Sequence, residues 1–300
     1  MITRKYLYLI ALAREKHFGR AAAACHVSPS TLSAAIRDIE AELGVAVVER
    51  GQLFAGLTRE GRCIVECALQ MSATAEGLRQ ELSKLRDGLT GRLRLGVIPT
   101  ALTAVASLSA AFSRRHPEVR IEVRSLSTGE ILEKIEHFEL DGGIVYVESA
   151  QATDLTVVPL WRENHVLLIP AGSAFSGRAG VTWREATETP LCLLTPDMQN
   201  RKTIDAVFAR LGCKAQPTLE TNSIASMLAH VCTGAWSAIL PRSVLDLIGV
   251  PSGAEVMPLT EPAVAWATGL VVSSRAPRPP MIDALLAEAR GLNELFAPDE

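Results

Sequence analysis

Apolar positions along the first sixty residues recur with a helical period. Leu7, Ile10 and Ala11 fall on one face of a first helix, with Arg14, Glu15 and Lys16 at its wetter end. Phe18 precedes a run from Gly19 to Cys25 that is almost entirely alanine, a short helix whose small side chains let another helix cross closely. After a turn at His26-Val27, Ser28 suits an N-cap and Pro29 the first helical position. The helix they open is predicted to run to Leu43 and stop at Gly44. Leu32, Ile36, Ile39 and Leu43 give it one buried stripe, and the opposite face shows Ser30, Thr31, Ser33, Ala34 and Arg37. Residues 45–50 and Leu57-Thr58 read as two short strands of a wing around residues 51–56. Small polar groups at the start of such a second helix suit entry into the major groove of double-stranded DNA. An ordinary three-helix packing unit is the alternative.

A long helix is predicted from Thr58 to about Asp87. Its apolar positions Ile64, Ala68, Met71, Ala75, Leu78, Leu82 and Leu85 are spaced alternately by four and three, a heptad seam. The seam reads as a dimerisation surface for a second copy, with a helix lying on its own domain as the alternative. Gly88 and Gly91 end the helix and make a hinge. The expected domains are 1–58 for the head, 59–90 for the linker helix and hinge, and 91–300 for the body.

Beyond residue 91 the period changes. Residues 92–98, 119–124 and 142–146 alternate or run apolar as strands, with helices ending near Arg115 and Ile135 between them. A second run of the same type follows: strands at 166–169, 191–194, 218–220 and 236–240, with helices at 202–211 and 224–232. Strand–helix alternation predicts a doubly wound parallel sheet, here as two α/β lobes. The strand at 269–273 and the helix at 281–295 return to the first lobe, so lobe I spans about 91–161 and 268–300 and lobe II about 162–267. Ligands of open parallel sheets bind beyond the carboxyl ends of the strands. Short polar residues stand at those ends: Thr100, Ser127 and Thr128, Tyr146, Gln199 and Asn200, and Asn222 and Ser223. Free amides and hydroxyls at helix starts favour an anionic or carboxylate-bearing effector. Each residue taken singly is equally well a helix cap.

Charge and composition narrow the partners. The net charge is −3, but residues 1–62 carry nine Lys/Arg against six Asp/Glu, so the head is basic and the body acidic. That asymmetry points to an anionic partner for the head alone. Six scattered cysteines form no CxxC and read as small buried hydrophobes in a reducing compartment; Cys63 and Cys67, one helical turn apart, leave a redox or metal role open. Arg4-Lys5 before an eight-residue apolar run imitates a short secretory signal, but the run continues into a helix the head needs. No stretch approaches a membrane span, so a cytoplasmic protein without membrane contact is expected. The chain lacks GxSxG, Walker A, GxGxxG and HExxH motifs, and its six histidines stand apart, which argues against an enzyme with resident cofactor or metal.

The chain resembles the LysR-type transcriptional regulators. The residues that carry the likeness are His17-Phe-Gly-Arg-Ala-Ala22, Val27-Ser-Pro-Ser-Thr-Leu-Ser33, Ile36-Arg-Asp-Ile-Glu40, Glu42-Leu-Gly44, Glu49-Arg50 and Leu57-Thr-Arg-Glu-Gly61. The resemblance implies a winged helix-turn-helix, a linker helix and a two-lobed effector domain similar to the periplasmic binding proteins. It also implies a homodimer, often a homotetramer, that works with RNA polymerase and binds a small-molecule effector. In this family the recognition helix usually opens Ser-Gln-Pro-x-Leu-Ser-Arg, whereas this chain has Ala34 where the arginine stands. Groove contacts are therefore assigned to Ser28, Ser30, Thr31, Ser33 and Arg37, with Arg20 and Arg50 on phosphates.

Overall fold

A computed structural model describes residues 3–49, 54–86, 88–150 and 154–296, with side chains as far as residue 292. The chain divides into two compact units, residues 1–87 and 88–300.

Among the described residues the first unit holds four helices: α1 (Arg4–Glu15), α2 (Phe18–Ala24), α3 (Pro29–Leu43) and α4 (Arg59–Arg86). The face that α1 buries carries Leu9, Ala11 and Leu12, while Leu7 is exposed and Ile10 half-buried. The expected face is thus rotated, because α1 packs against α2 and α3 together and the buried arc centres between them. Ala21 and Ala22 are fully buried where α2 makes its close crossings. The hydroxyl of Ser28 accepts from the Thr31 amide, Pro29 takes the first helical position, and Gly44 closes α3 at φ 68°. Leu32, Ile36 and Ile39 are buried, but Leu43 is exposed, since the chain turns away at Gly44 and leaves the last turn uncovered.

Of the expected pair of wing strands, the described residues show a bridge between Val48 and Leu57. Arg50 and residues 51–53 lie outside the described residues. Phe54 meets Phe18 edge-on, with ring centroids 6.1 Å apart. Thr58 caps α4: its hydroxyl accepts from the Gly61 amide at 2.8 Å and donates to the Ala46 carbonyl at 2.6 Å. A Cβ at Gly61 would stand 2.0 Å from the Val47 carbonyl oxygen, so only glycine lets the helix start this close to the wing. Further along α4, Val65 is buried in the head's core with Ile64 packed against it, and Ala68 is fully buried, so the first turns of the seam are covered within the chain. Met71, Leu78, Leu82 and Leu85 stand 47, 61, 54 and 80% exposed.

The second unit contains β1 (Gly91–Val97), α5 (Val105–Arg115), β2 (Val119–Ser125), α6 (Thr128–Glu136), β3 (Gly142–Tyr146), β4 (Leu155–Pro170), β5 (Val181–Thr182) and α7 (Trp183–Ala186). It continues through β6 (Leu191–Leu194), α8 (Gln199–Arg210), β7 (Leu219–Thr221), α9 (Ile224–Cys232), β8 (Ser237–Pro241), α10 (Arg242–Ile248), β9 (Ala254–Thr260), β10 (Ala265–Ser273) and α11 (Pro280–Phe296). The strands follow the order β2-β1-β3-β10-β4-β8-β6-β7, with β9 paired to β4 and β5 to β9. β1 runs parallel to β2 and β3, and β6 parallel to β7 and β8. Between these groups β10 and β4 run antiparallel to their neighbours. The two expected parallel α/β groups are both present, and an antiparallel seam joins them. β4 makes the junction: residues 155–164 pair with β10, and residues 165–170 pair with β8 and β9.

Lobe I closes around Leu93, Leu95, Phe112, Ile144 and Leu285, and lobe II has a core on each face of its strands, one around Trp183 and Phe208 and one around Met227 and Leu240. A Cβ at Gly143 would lie 2.2 Å from Ile131, and one at Gly96 would lie 2.9 Å from it. These two glycines bring α6 hard against β1 and β3, which sets Thr128 at the carboxyl ends of the strands.

Candidate functional site

Two surfaces carry the sequence-predicted residues, one in each unit. On the head, Ser28, Ser30, Thr31 and Arg37 are exposed and Ser33 is half-buried. The three hydroxyls at the start of α3 are tied together: Ser28 Oγ stands 2.8 Å from both Ser30 Oγ and Thr31 Oγ1. Each keeps spare hydrogen-bonding capacity, since a hydroxyl both donates and accepts. Arg20, on α2, donates to the Glu15 carbonyl at 2.6 Å and lies 3.9 Å from its carboxylate, so its guanidinium is held by the helix before it. Arg37 has no ion-pair partner among the described residues and stands free on the polar face of α3. Of the two arginines it is the one with an uncommitted charge.

In the second unit the strand ends bring some expected residues together and leave others apart. Ser127 is the N-cap of α6, in a reciprocal capping box with Glu130, and Ser223 caps α9. Asn222 is exposed, and Gln199 is half-buried in the first turn of α8. Thr128 is buried, with its hydroxyl oxygen unpartnered. Thr100, Tyr146 and Asn200 converge. Tyr146 OH donates to Glu163 Oε2 at 3.1 Å, accepts from Asn200 Nδ2 at 3.2 Å, and stands 3.5 Å from Thr100 Oγ1.

The cluster extends to residues that no strand-end position marks in the sequence. Glu163 Oε1 accepts from Trp161 Nε1 at 3.0 Å and from Ser243 Oγ at 3.4 Å. Asn200 Nδ2 also reaches His165 Nε2 at 2.6 Å, and the His165 ring meets Trp266 edge-on at 4.6 Å. The strand registers explain the convergence: Thr268 pairs with Tyr146 and Trp161, and Trp266 with Glu163. Paired residues share a face and alternate residues on one strand do too, so all of these point to one side of β3, β10 and β4. The i, i+2 spacing of Trp161, Glu163 and His165 is the signal that was available in the sequence. It was obscured because the intervening Arg162 and Asn164 are exposed, giving a polar stretch with no visible apolar alternation.

The electrostatics of the cluster follow from its burial. Glu163 is 1% exposed and no cation among the described residues pairs with it, so loss of water pushes its carboxyl up to about 7 in spite of three donors. Burial drives His165 the other way, down to about 3, and the imidazole is neutral. With Nε2 accepting from Asn200, the His165 proton sits on Nδ1. That atom, Asn200 Oδ1 and Thr268 Oγ1 are buried polar atoms without partners among the described residues. Buried orphan groups cost stability, and their concentration at one place marks a site.

The first 60 or so residues match the model of the bacterial regulatory helix-turn-helix protein, lysR family, over 3–62, and residues 86–293 match the LysR substrate binding domain. The chain belongs to the LysR family of transcriptional regulators. A probable hydrogen peroxide-inducible genes activator of Mycobacterium xenopi is 33% identical to this LysR-family chain over 172 residues, 57% of this chain and 90% of that one. The DNA-binding transcriptional dual regulator OxyR of Escherichia coli K12 is 26% identical over 279 residues, 92% of this chain and 91% of that protein. Among solved structures, full-length OxyR of Pseudomonas aeruginosa with a cysteine-to-aspartate substitution superposes with a TM-score of 0.77 at 27% identity, covering 100% of this chain and 99% of that one. The LysR-family chain is a DNA-binding regulator and not an enzyme. Among the described residues no helix is long and apolar enough to cross a membrane, and no three His, Cys, Asp or Glu side chains cluster to hold a metal.

Proposed function

We propose that this LysR-family regulator is a cytoplasmic homodimer, assembling into a tetramer, whose grip on DNA is set by a small carboxylate-bearing effector at the strand ends between the two lobes. The observation that carries the reading is the cluster of Thr100, Tyr146, Asn200, Glu163 and His165. Tyr146 and Thr100 come from lobe I, and Asn200 and His165 from lobe II. An effector bound there exchanges the bonds that tie the lobes together for bonds to itself, which shifts the balance between lobe arrangements. The unpartnered hydroxyl of Thr128 in the first turn of α6 and the first turn of α8 supply donors suited to a carboxylate. Glu163 accommodates such an anion by taking up a proton, because a neighbouring negative charge raises a carboxyl that already stands at about 7.

On DNA, α3 enters the major groove with Ser28, Ser30, Thr31, Ser33 and Arg37 toward the bases, and Arg20 and Arg50 hold phosphates. The exposed stripe from Met71 to Leu85 pairs with a second copy, and RNA polymerase is the partner at the promoter. Selection of genomic fragments followed by footprinting tests this half of the reading. Protection of two half-sites, one turn of DNA or a multiple apart, supports it; a single unpaired footprint contradicts it.

The names of the relatives favour a second reading, peroxide sensing through a thiol. Oxidation needs a thiolate, and burial pushes Cys25, Cys67 and Cys192 up, Cys192 to about 11. Cys192 lies inside the core of lobe II, and no cysteine belongs to the strand-end cluster. Mass spectrometry after micromolar peroxide separates the two readings: unmodified cysteines support the ligand reading, and a single selectively oxidised cysteine supports the thiol one.

A further inference from the structure

Lobe II carries a second polar concavity. A cleft of about 460 Å3 is lined by Thr182, Arg184, Arg210, Leu211, Glu261 and Pro262. Small-molecule sites fall at about 300–1,000 Å3, so the space suits a compact ligand. The walls come from the start of α7, the C-terminal end of α8 and the turn between β9 and β10. None of these residues belongs to the cluster around Tyr146.

The charges of the walls are available to a ligand. Arg184 Nη2 donates to the Leu211 carbonyl at 2.5 Å, which serves the end of α8 and ties α7 to it. A guanidinium has five N–H donors, so Arg184 keeps most of its capacity. Arg210, in the last turn of α8, is exposed and has no ion-pair partner among the described residues. Glu261 is exposed and equally unpaired among them. Its backbone is held at φ 53°, a conformation that a non-glycine residue keeps only where its surroundings impose it. Leu211 and Pro262 add apolar surface and a rigid base. Leu211 packs against the core around Trp183, and the Pro262 carbonyl accepts from the indole of fully buried Trp183 at 3.1 Å.

We propose that this cleft is a second ligand site, separate from the strand ends, and that it takes a dicarboxylic α-amino acid. The two carboxylates pair with Arg184 and Arg210, the ammonium pairs with Glu261, and the carbon chain lies on Leu211 and Pro262. The lining selects this class by charge. A simple cation meets two arginines, and a dicarboxylate without an amino group leaves Glu261 facing negative charge alone. A ligand with two carboxylates and one ammonium matches the two arginines and one carboxylate group for group. Planar guanidinium forks hold carboxylates with two parallel hydrogen bonds, which fixes the orientation of the ligand as well as its charge.

Isothermal titration of the full-length protein with L-glutamate tests the proposal, alongside glutarate, which lacks the ammonium, and L-lysine, which lacks the second carboxylate. L-Glutamate is expected to bind with one site per chain. Glutarate is expected to bind about fivefold more weakly, and L-lysine not at all. Arg210→Ala should weaken L-glutamate at least about tenfold while leaving the circular dichroism unchanged, since the side chain is exposed. Glu261→Gln should bring L-glutamate and glutarate to the same affinity, and Lys214→Ala, an exposed cation outside the cleft, should bind as the wild type does. No binding of L-glutamate, or equal affinity for glutarate or L-lysine in the wild type, would overturn the proposal. Undiminished binding of L-glutamate by Arg210→Ala would also overturn it, and would leave the strand-end reading standing, because the ligand would then sit elsewhere in the chain.

Discussion

Asn200 on α8 donates its amide to the Tyr146 hydroxyl on β3 across 3.2 Å, a hydrogen bond that joins the two lobes of the effector domain inside a closed polar cluster. The same amide group serves His165 Nε2, so one side chain satisfies acceptors from both sides of the junction.

Replacing Asn200 with alanine leaves Tyr146 OH and His165 Nε2 without this donor while both stay buried. A loss of about 1–3 kcal/mol is expected, the usual cost of stranding a buried polar group. Thermal denaturation of the full-length protein should show a midpoint lower by several degrees. An unchanged midpoint would mean that the lobes do not depend on this contact.

Glu163 makes a prediction in pH. Its carboxyl stands at about 7 in the fold against an ordinary 4.5, so the folded chain binds a proton that the unfolded chain has released between those values. Stability contributed by this group therefore falls as pH rises from 4.5 to 7, by about 3 kcal/mol over the window. His165, lowered to about 3 from 6.5, slopes the other way and raises stability between those values. Glu163→Gln keeps His165 and removes only the first slope. Denaturant titrations should find the variant gaining on the wild type from pH 4.5 to 7, and a pH-independent difference would contradict the buried, cation-free setting.

Arg37 is free where Arg20 is held by Glu15. Arg37→Ala is expected to weaken specific DNA binding by about 1–3 kcal/mol, the range for a base-reading arginine. Arg20→Ala should cost less and act alike on all sequences, as a phosphate contact does. Fluorescence anisotropy on a footprinted fragment and on a scrambled one measures both, and equal losses on the two fragments for Arg37→Ala would remove it from base readout.

The position of α6 depends on a close approach. Gly143→Ala places a Cβ 2.2 Å from Ile131, which has to move with its helix. Overpacking of this kind costs about 1–3 kcal/mol. The midpoint of denaturation should fall accordingly, and a neutral substitution would show that α6 tolerates displacement.

How far the sequence led depended on whether local chemistry dictated the element. Ser28-Pro29 and Gly44 carry their own start and stop signals, so α3 was readable to the residue. The seam of α4 was readable because seven apolar positions keep one period, although the packing of Ile64 against the head's core required the fold. β4 was only half readable. Its lobe II part is a plain apolar run, but residues 155–164 mix Arg162, Glu163 and Asn164 with apolar neighbours, and burial of Glu163 is a tertiary outcome. For the same reason Thr100, Tyr146 and Asn200 were found from their places at strand ends, whereas Glu163 and His165 were not. Short elements such as α7 and β5 carry too few residues to show a period at all.

The proposed carboxylate-bearing effector sits at the strand ends beside Thr100 and Thr128. Isothermal titration of the full-length protein with a panel of small aliphatic and aromatic carboxylates tests it directly, run in parallel on Thr100→Val and Thr128→Val. At least one member is expected to bind the wild type, and both variants to bind it at least about tenfold more weakly, the loss of one charge-assisted hydrogen bond. Equal binding by wild type and variants, or no binding by any carboxylate, would contradict it.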